Sequence, residues 1–158
     1  MKKSFYLTLF FVALFFCVSK SFAQTTVTNW KGSNLSFAIP NTHKLKSNTA
    51  DAFESGDKNT WLEIYPYKDA AENSQAMIQK LVSEEGIKVA SEGEYTTGGY
   101  EGYWARCEKA SHPEWLFWYI GVVDPKTNHN FYAVVWYKKD DQTAQDLASK
   151  IAYSLQKM

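Results

Sequence analysis

The stretch from Trp115 to Val123 constrains this chain most, because it is apolar on both of its alternating faces. Trp115, Phe117, Tyr119 and Val123 fall on one side of an extended backbone, and Leu116, Trp118, Ile120 and Val122 on the other. A strand with one wet face would alternate apolar with polar residues, so this run predicts a sheet covered on both sides. Phe131 to Tyr137 has a similar character. The intervening Asp124-Pro125-Lys126-Thr127-Asn128-His129-Asn130 is turn chemistry, which makes the two runs an antiparallel hairpin.

Two amphipathic segments are available as cover. Asp69 with Glu72 reads as a capping box, Met77, Ile78, Leu81 and Val82 recur at helical spacing, and Gly86 supplies a stop. A second stripe of Ala144, Leu147, Ala148, Ile151, Ala152 and Leu155 follows a cap at Asp140 or Asp141, with Lys150 and Gln156 facing water. Leu35 to Ile39, closed by Pro40, Trp61 to Tyr67 and Tyr103 to Glu108 are further strands, and Gly98-Gly99 is a turn. Shorter candidates lie at His43 to Leu45, Ala52 to Glu54, Ile87 to Ala90 and Glu94 to Thr97. Gln24 to Asn29 reads as a polar, frayed start. The expected fold is α+β: an antiparallel sheet of about six to seven strands flanked by helices on both faces, an α/β/α sandwich.

The amino terminus carries an address. Lys2 and Lys3, an apolar run from Phe5 to Val18 and the small-x-small Ser21-Phe22-Ala23 before Gln24 have the order of a secretory signal peptide. Residues 1–23 are therefore expected to be removed, leaving 24–158 as a single domain with no membrane span. Cys17 has the bulky Phe16 before it, which disfavours a lipoprotein site. Three of the seventeen Lys and Arg residues depart with the leader and no acid does, so the acids then outnumber the basic residues by three. That weakly acidic balance, without a basic run, excludes nucleic acid and anionic lipid as partners. Cys107 is left alone, so no internal disulfide is available. It is expected as a buried small apolar residue, with pairing between chains as the alternative.

Catalytic patterns are absent from the spacing. His43 lies by a polar loop, His112 precedes Pro113, and His129 sits at the hairpin tip. With about 3.3 Å per strand residue, His112 and His129 are roughly 30 Å apart at opposite ends of one strand. There is no H-x-x-x-H or C-x-x-C pair, no G-x-S-x-G elbow and no phosphate loop, so no catalytic residue, metal or cofactor is expected. Glu92 and Glu94 point the same way but flank Gly93, which favours solvated charges over a paired acid site.

The binding candidates are four. Arg106 is the single arginine and stands inside a strand, where its guanidinium would fork onto an acidic ligand or pair with Glu63, Glu108 or Glu114. Trp30, Tyr100 and Trp104 are candidates for an exposed aromatic platform, the kind of surface that suits sugar rings.

The order of elements resembles the PsbP-like superfamily, whose members share a PsbP/Mog-like α/β/α sandwich. Gly32-Ser33-Asn34-Leu35-Ser36-Phe37-Ala38-Ile39-Pro40 resembles its opening strand. Gly98-Gly99-Tyr100-Glu101-Gly102-Tyr103 enters a strand run, and the closing helix carries Ile151 and Ser154-Leu155. The resemblance spans nearly all of 24–158 and implies a small exported bacterial member with a binding or assembly role. Photosystem members stabilise a metal cluster and nuclear members bind a GTPase, but no residue of either group maps onto this sequence. The expectation is a non-catalytic periplasmic or secreted domain binding an envelope protein or a small molecule. The alternatives are an envelope glycan or peptide hydrolase and a carbohydrate-binding module.

Overall fold

A computed structural model describes residues 24–124 and 130–158; the leader, Cys17 and His129 lie outside them. Ten strands are formed: β1 (Thr25–Trp30), β2 (Leu35–Pro40), β3 (Lys44–Asn48), β4 (Phe53–Gly56), β5 (Thr60–Pro66), β6 (Lys88–Thr97), β7 (Tyr100–Glu108), β8 (Trp115–Val122), β9 (Phe131–Lys138) and β10 (Gln156–Lys157). Helix α1 (Ser74–Glu84) separates β5 from β6, and α2 (Gln142–Ala152) separates β9 from β10. Seven strands make one antiparallel sheet in the order β3-β4-β5-β9-β8-β7-β6, and β1-β2-β10 make a second.

The two-faced hairpin takes the centre, as its composition demands. Strands β8 and β9 pair from Trp115 opposite Lys138 to Val122 opposite Phe131, with β7 and β5 on their outer sides. On one face Leu62, Ile64, Phe131, Ala133, Val135, Trp118, Ile120 and Val122 enter the larger core. Trp30, Leu35 and Phe37 of the small sheet close it together with Ala144, Ala148, Ile151 and Ala152 of α2. On the other face Ile78 and Val82 of α1 cover Ala105, Cys107, Phe117 and Tyr119.

The expected helix-flanked sandwich of six to seven strands is corrected here. The described chain is mostly β, with ten strands against two helices of eleven residues. Helices do not roof the sheet: the small sheet shares one face with α2, and α1 lies mainly over β7 and β8. The physical cause is the segment read as a frayed start. Thr25 to Trp30 pairs residue for residue with Leu35 to Pro40, so a second sheet does the covering that a helix layer would have done.

Smaller differences have local causes. Helix α1 begins at Asn73, whose side chain accepts from the Ala76 N–H, while Asp69 pairs with Lys80 instead. The two short candidates at Ile87 to Ala90 and Glu94 to Thr97 fuse into β6, with a register shift between Val89 and Ser91 absorbing the polar interruption. Gly98 and Gly99 adopt φ of 54° and 83° at the β6–β7 turn, the left-handed region that glycine enters without penalty.

Candidate functional site

The half of the large sheet that α1 leaves bare is where unusual side chains gather. Along β5, alternation puts Trp61, Glu63 and Tyr65 on one face, and along β9 it puts Tyr132, Val134 and Trp136 beside them. The ladder sets Trp61 opposite Trp136, Glu63 opposite Val134 and Tyr65 opposite Tyr132. Strand β8 extends these rows with Phe117 and Tyr119. The indoles of Trp61, Trp136 and Trp115 meet edge to face at 5.9 and 5.6 Å, and Trp136 stacks on Phe117 at 5.3 Å. Trp61 lies so flat across Gly56 that any Cβ there would sit 1.8 Å from its ring, so glycine is required at that position.

A groove of about 200 Å³ opens on this face, lined by Glu63, Tyr65, Glu85, Lys109, His112, Phe117, Tyr119, Tyr132, Val134 and Trp136. Its charges are arranged unevenly. Glu85 accepts from Lys109 and from the Tyr119 hydroxyl at 2.9 Å. Glu54, next door on β4, pairs with Lys46 at 2.7 Å. Glu63 has no ion pair among the described residues, although it stands directly opposite Glu54 in the β4–β5 ladder. Burial among aromatic rings, with the Glu54 charge adding to it, raises the Glu63 carboxyl above its ordinary 4.5. The Trp136 indole N–H is buried without an acceptor, while the Trp61 indole favours the ionised Glu63 and partly offsets the rise.

The raised carboxyl makes a stability prediction whose sign is fixed. The folded state holds the Glu63 proton more tightly than the unfolded chain does, so ionisation opposes folding above the raised value and the penalty is gone below 4.5. Glu63→Gln is therefore expected to be more stable than wild type at pH 7, with the advantage shrinking as pH falls through the folded value towards 4.5. Urea midpoints measured for both proteins at pH 7 and pH 4 check this. An advantage that is equal at both would contradict it.

The residues selected from sequence sit elsewhere. Trp30 and Tyr100 are 2% and 5% exposed, so the surface platform expected from Trp30, Tyr100 and Trp104 is corrected. The Trp30 indole donates to the Thr49 carbonyl at 2.8 Å, and the Tyr100 hydroxyl donates to the Asn34 carbonyl at 3.3 Å, satisfying both polar tips inside the fold. Trp104 is half-buried against Trp118 at 5.9 Å, over Gly93. Arg106 lies on that same face with its guanidinium 4.4 Å from the Trp118 ring and 5.7 Å from Trp104. None of the acids expected as its partner forms an ion pair with it among the described residues, so ring faces take their place.

Other candidates separate by environment. Cys107 is fully buried under α1, and burial pushes its thiol up to about 12, which leaves an inert side chain out of reach of a second chain. Glu92 and Glu94 are exposed on β6. His43 is held between the Ser55 and Thr60 hydroxyls at 3.2 and 2.8 Å, and burial lowers its basicity against the opposing pull of Asp57. It is not among the residues lining the groove, whereas His112 is. Among the described residues no three of His, Cys, Asp and Glu gather as metal ligands, and no helix is long and apolar enough to cross a membrane.

The groove residues were not selected from sequence, yet a signal was present. Glu63 interrupts Trp61-Leu62-Glu63-Ile64-Tyr65 on the face where every other outward residue is aromatic, and an acid so placed must be half-buried or bound.

A large antiparallel sheet backed by a small sheet and crossed by one helix on its far side is a fold that two solved structures share. The Ran-binding protein Mog1p of Saccharomyces cerevisiae superposes with a TM-score of 0.57 at 7% identity, over 84% of this chain and 95% of its own. LpqN, involved in cell envelope biogenesis of Mycobacterium tuberculosis, superposes at 0.52 with 14% identity, over 84% and 90% respectively. No family model and no curated protein sequence matches the chain.

Proposed function

We propose that the chain is a non-catalytic binding domain of the cell envelope, exported by residues 1–23 and engaging a partner through the bare half of the β5–β9 face. The observation that carries this reading is the groove itself: half-buried aromatic rings, a desolvated carboxylate and a buried indole donor at Trp136 without an acceptor, gathered where α1 supplies little cover. Folding alone gives little return for gathering such groups, whereas a bound partner would cover the rings and the carboxylate. The two structural neighbours, a Ran-binding protein and a protein involved in cell envelope biogenesis, fit a binding role and an envelope setting.

The hydrolase alternative is less well supported by this arrangement. Glu85 is occupied by Lys109 and Tyr119, and Cys107 lies beneath the helix, which leaves no activated nucleophile beside Glu63 among the described residues. A carbohydrate module built on Trp30 and Tyr100 has lost its platform to the core.

Photo-crosslinking in the envelope of expressing cells tests the reading. A benzophenone side chain at Tyr65 or at Tyr132 is expected to give one and the same adduct. Val27, exposed on β1, should give none, and Trp136→Ala should abolish the adduct from Tyr132. No adduct, or equal adducts from all three positions, would overturn it.

A further inference from the structure

The bare face treats its acids and rings by a consistent rule. Lys46 neutralises Glu54 and lies over the Trp61 ring at 5.8 Å. Lys109 neutralises Glu85 and lies over Phe117 and Tyr119 at 4.6 and 5.6 Å. Lys138 lies over Trp115 at 6.0 Å. In each case an ammonium group rests on the negative face of an aromatic ring, and twice it also meets a carboxylate. Glu63 sits between the first two pairs with Tyr65, Tyr132 and Trp136 around it; Lys46 and Lys109 act on it only from a distance, and among the described residues no ammonium pairs with it.

Resting on the binding role just set out, we propose that this missing ammonium is the lysine side chain of a partner protein, inserted between β5, β9 and the carboxyl end of α1 to contact Glu63. Charge complementarity selects the ligand class, since Glu63 also faces Glu54 across the ladder and gains most from an incoming cation. Size selects the source. Sites for free small molecules run to about 300–1,000 Å³, and this groove of about 200 Å³ suits a single long side chain delivered from a neighbouring surface. The rings would hold the lysine stem while Glu63 takes the charged tip. Lys109 is the chain's own version of the same contact on the far wall of the groove.

The test titrates the ¹⁵N-labelled protein with the capped tripeptide acetyl-Gly-Lys-Gly-amide, followed by NMR. Saturable shifts are expected at Tyr65, Tyr132 and the Trp136 indole. The same peptide with its lysine Nε-acetylated keeps the length and loses the charge, and it should bind at least about tenfold more weakly. Glu63→Gln should weaken the unmodified peptide by about the same factor, with the variant's own spectrum and urea midpoint showing that it is folded. Equal binding of both peptides, full binding to Glu63→Gln, shifts confined to another surface, or no binding would each overturn the proposal. Methylammonium binding as tightly as the peptide would overturn the protein source in favour of a small amine. Should the peptide fail while adducts from Tyr65 and Tyr132 persist, the lysine is wrong and the binding face stands; loss of both removes the face as well.

Discussion

Trp118→Ala is expected to destabilise the protein by about 3–5 kcal/mol, the range for removing a fully buried large aromatic from a core. The indole is 1% exposed at the middle of β8. It meets Trp104 at 5.9 Å, Tyr153 beyond the end of α2 at 5.7 Å, and the Arg106 guanidinium at 4.4 Å. Truncation would open a cavity between sheet and helix and strip a half-buried charge of its ring. The Trp118 indole N–H has no acceptor, so no hydrogen bond is lost and Trp118→Phe should recover most of the stability. Equilibrium urea unfolding of the two variants decides the matter. A loss under about 1.5 kcal/mol for the alanine variant would show that the site collapses or is not packed as described.

What the sequence disclosed followed where patterns are local. The hairpin of β8 and β9 is legible because apolar residues on both alternations fit only a doubly covered strand. Helix α2 is legible because its stripe has one period and one cap, and Asp141 accepts from the Ala144 N–H as that cap should. Gly98-Gly99 announces its turn through a backbone conformation that other residues avoid. The failures share a cause as well: they concern which surface a segment meets. Thr25-Thr26-Val27-Thr28 is rich in β-branched residues, but it is exposed on both sides and has no alternation to betray its pairing with β2. Trp30 and Tyr100 read as platform residues because aromatic composition is indifferent to burial, and only the small sheet's position puts them inside.

The candidate site was hidden for a related reason. Glu63 and Trp136 lie more than seventy residues apart and become neighbours only because β5 pairs with β9 across α1 and three strands. Nothing local encodes that order. What the sequence did hold was the alternation of Trp61, Glu63 and Tyr65, a charged residue where a covered sheet would place an apolar one. Such a local inconsistency is a reasonable place to look for function, since stability alone does not favour it.

Phe37→Ala is expected to lose a further about 3–5 kcal/mol for the same class of reason, but with a different signature. Phe37 is fully buried and meets Phe53 of the large sheet edge to face at 4.7 Å, so it joins the two sheets. The small sheet has few other apolar ties: five of the six residues of β1 are not buried, and β10 contributes two residues to the ladder. Trp30, Leu35 and Leu155 remain, together with hydrogen bonds that include Trp30 to Thr49, Tyr100 to Asn34, Asn48 to Asn29, and the Ala38 N–H donating to the Ser154 hydroxyl at 2.8 Å. Removing the phenyl ring should therefore loosen β1 and β2 before the large sheet yields. Hydrogen exchange in mild conditions is expected to show β2 amides, including Ala38, exchanging far faster than those of β8 and β9, where wild type protects both. Uniform acceleration across the two sheets would mean that they unfold as one unit, and that the small sheet belongs to the same cooperative core as the central hairpin.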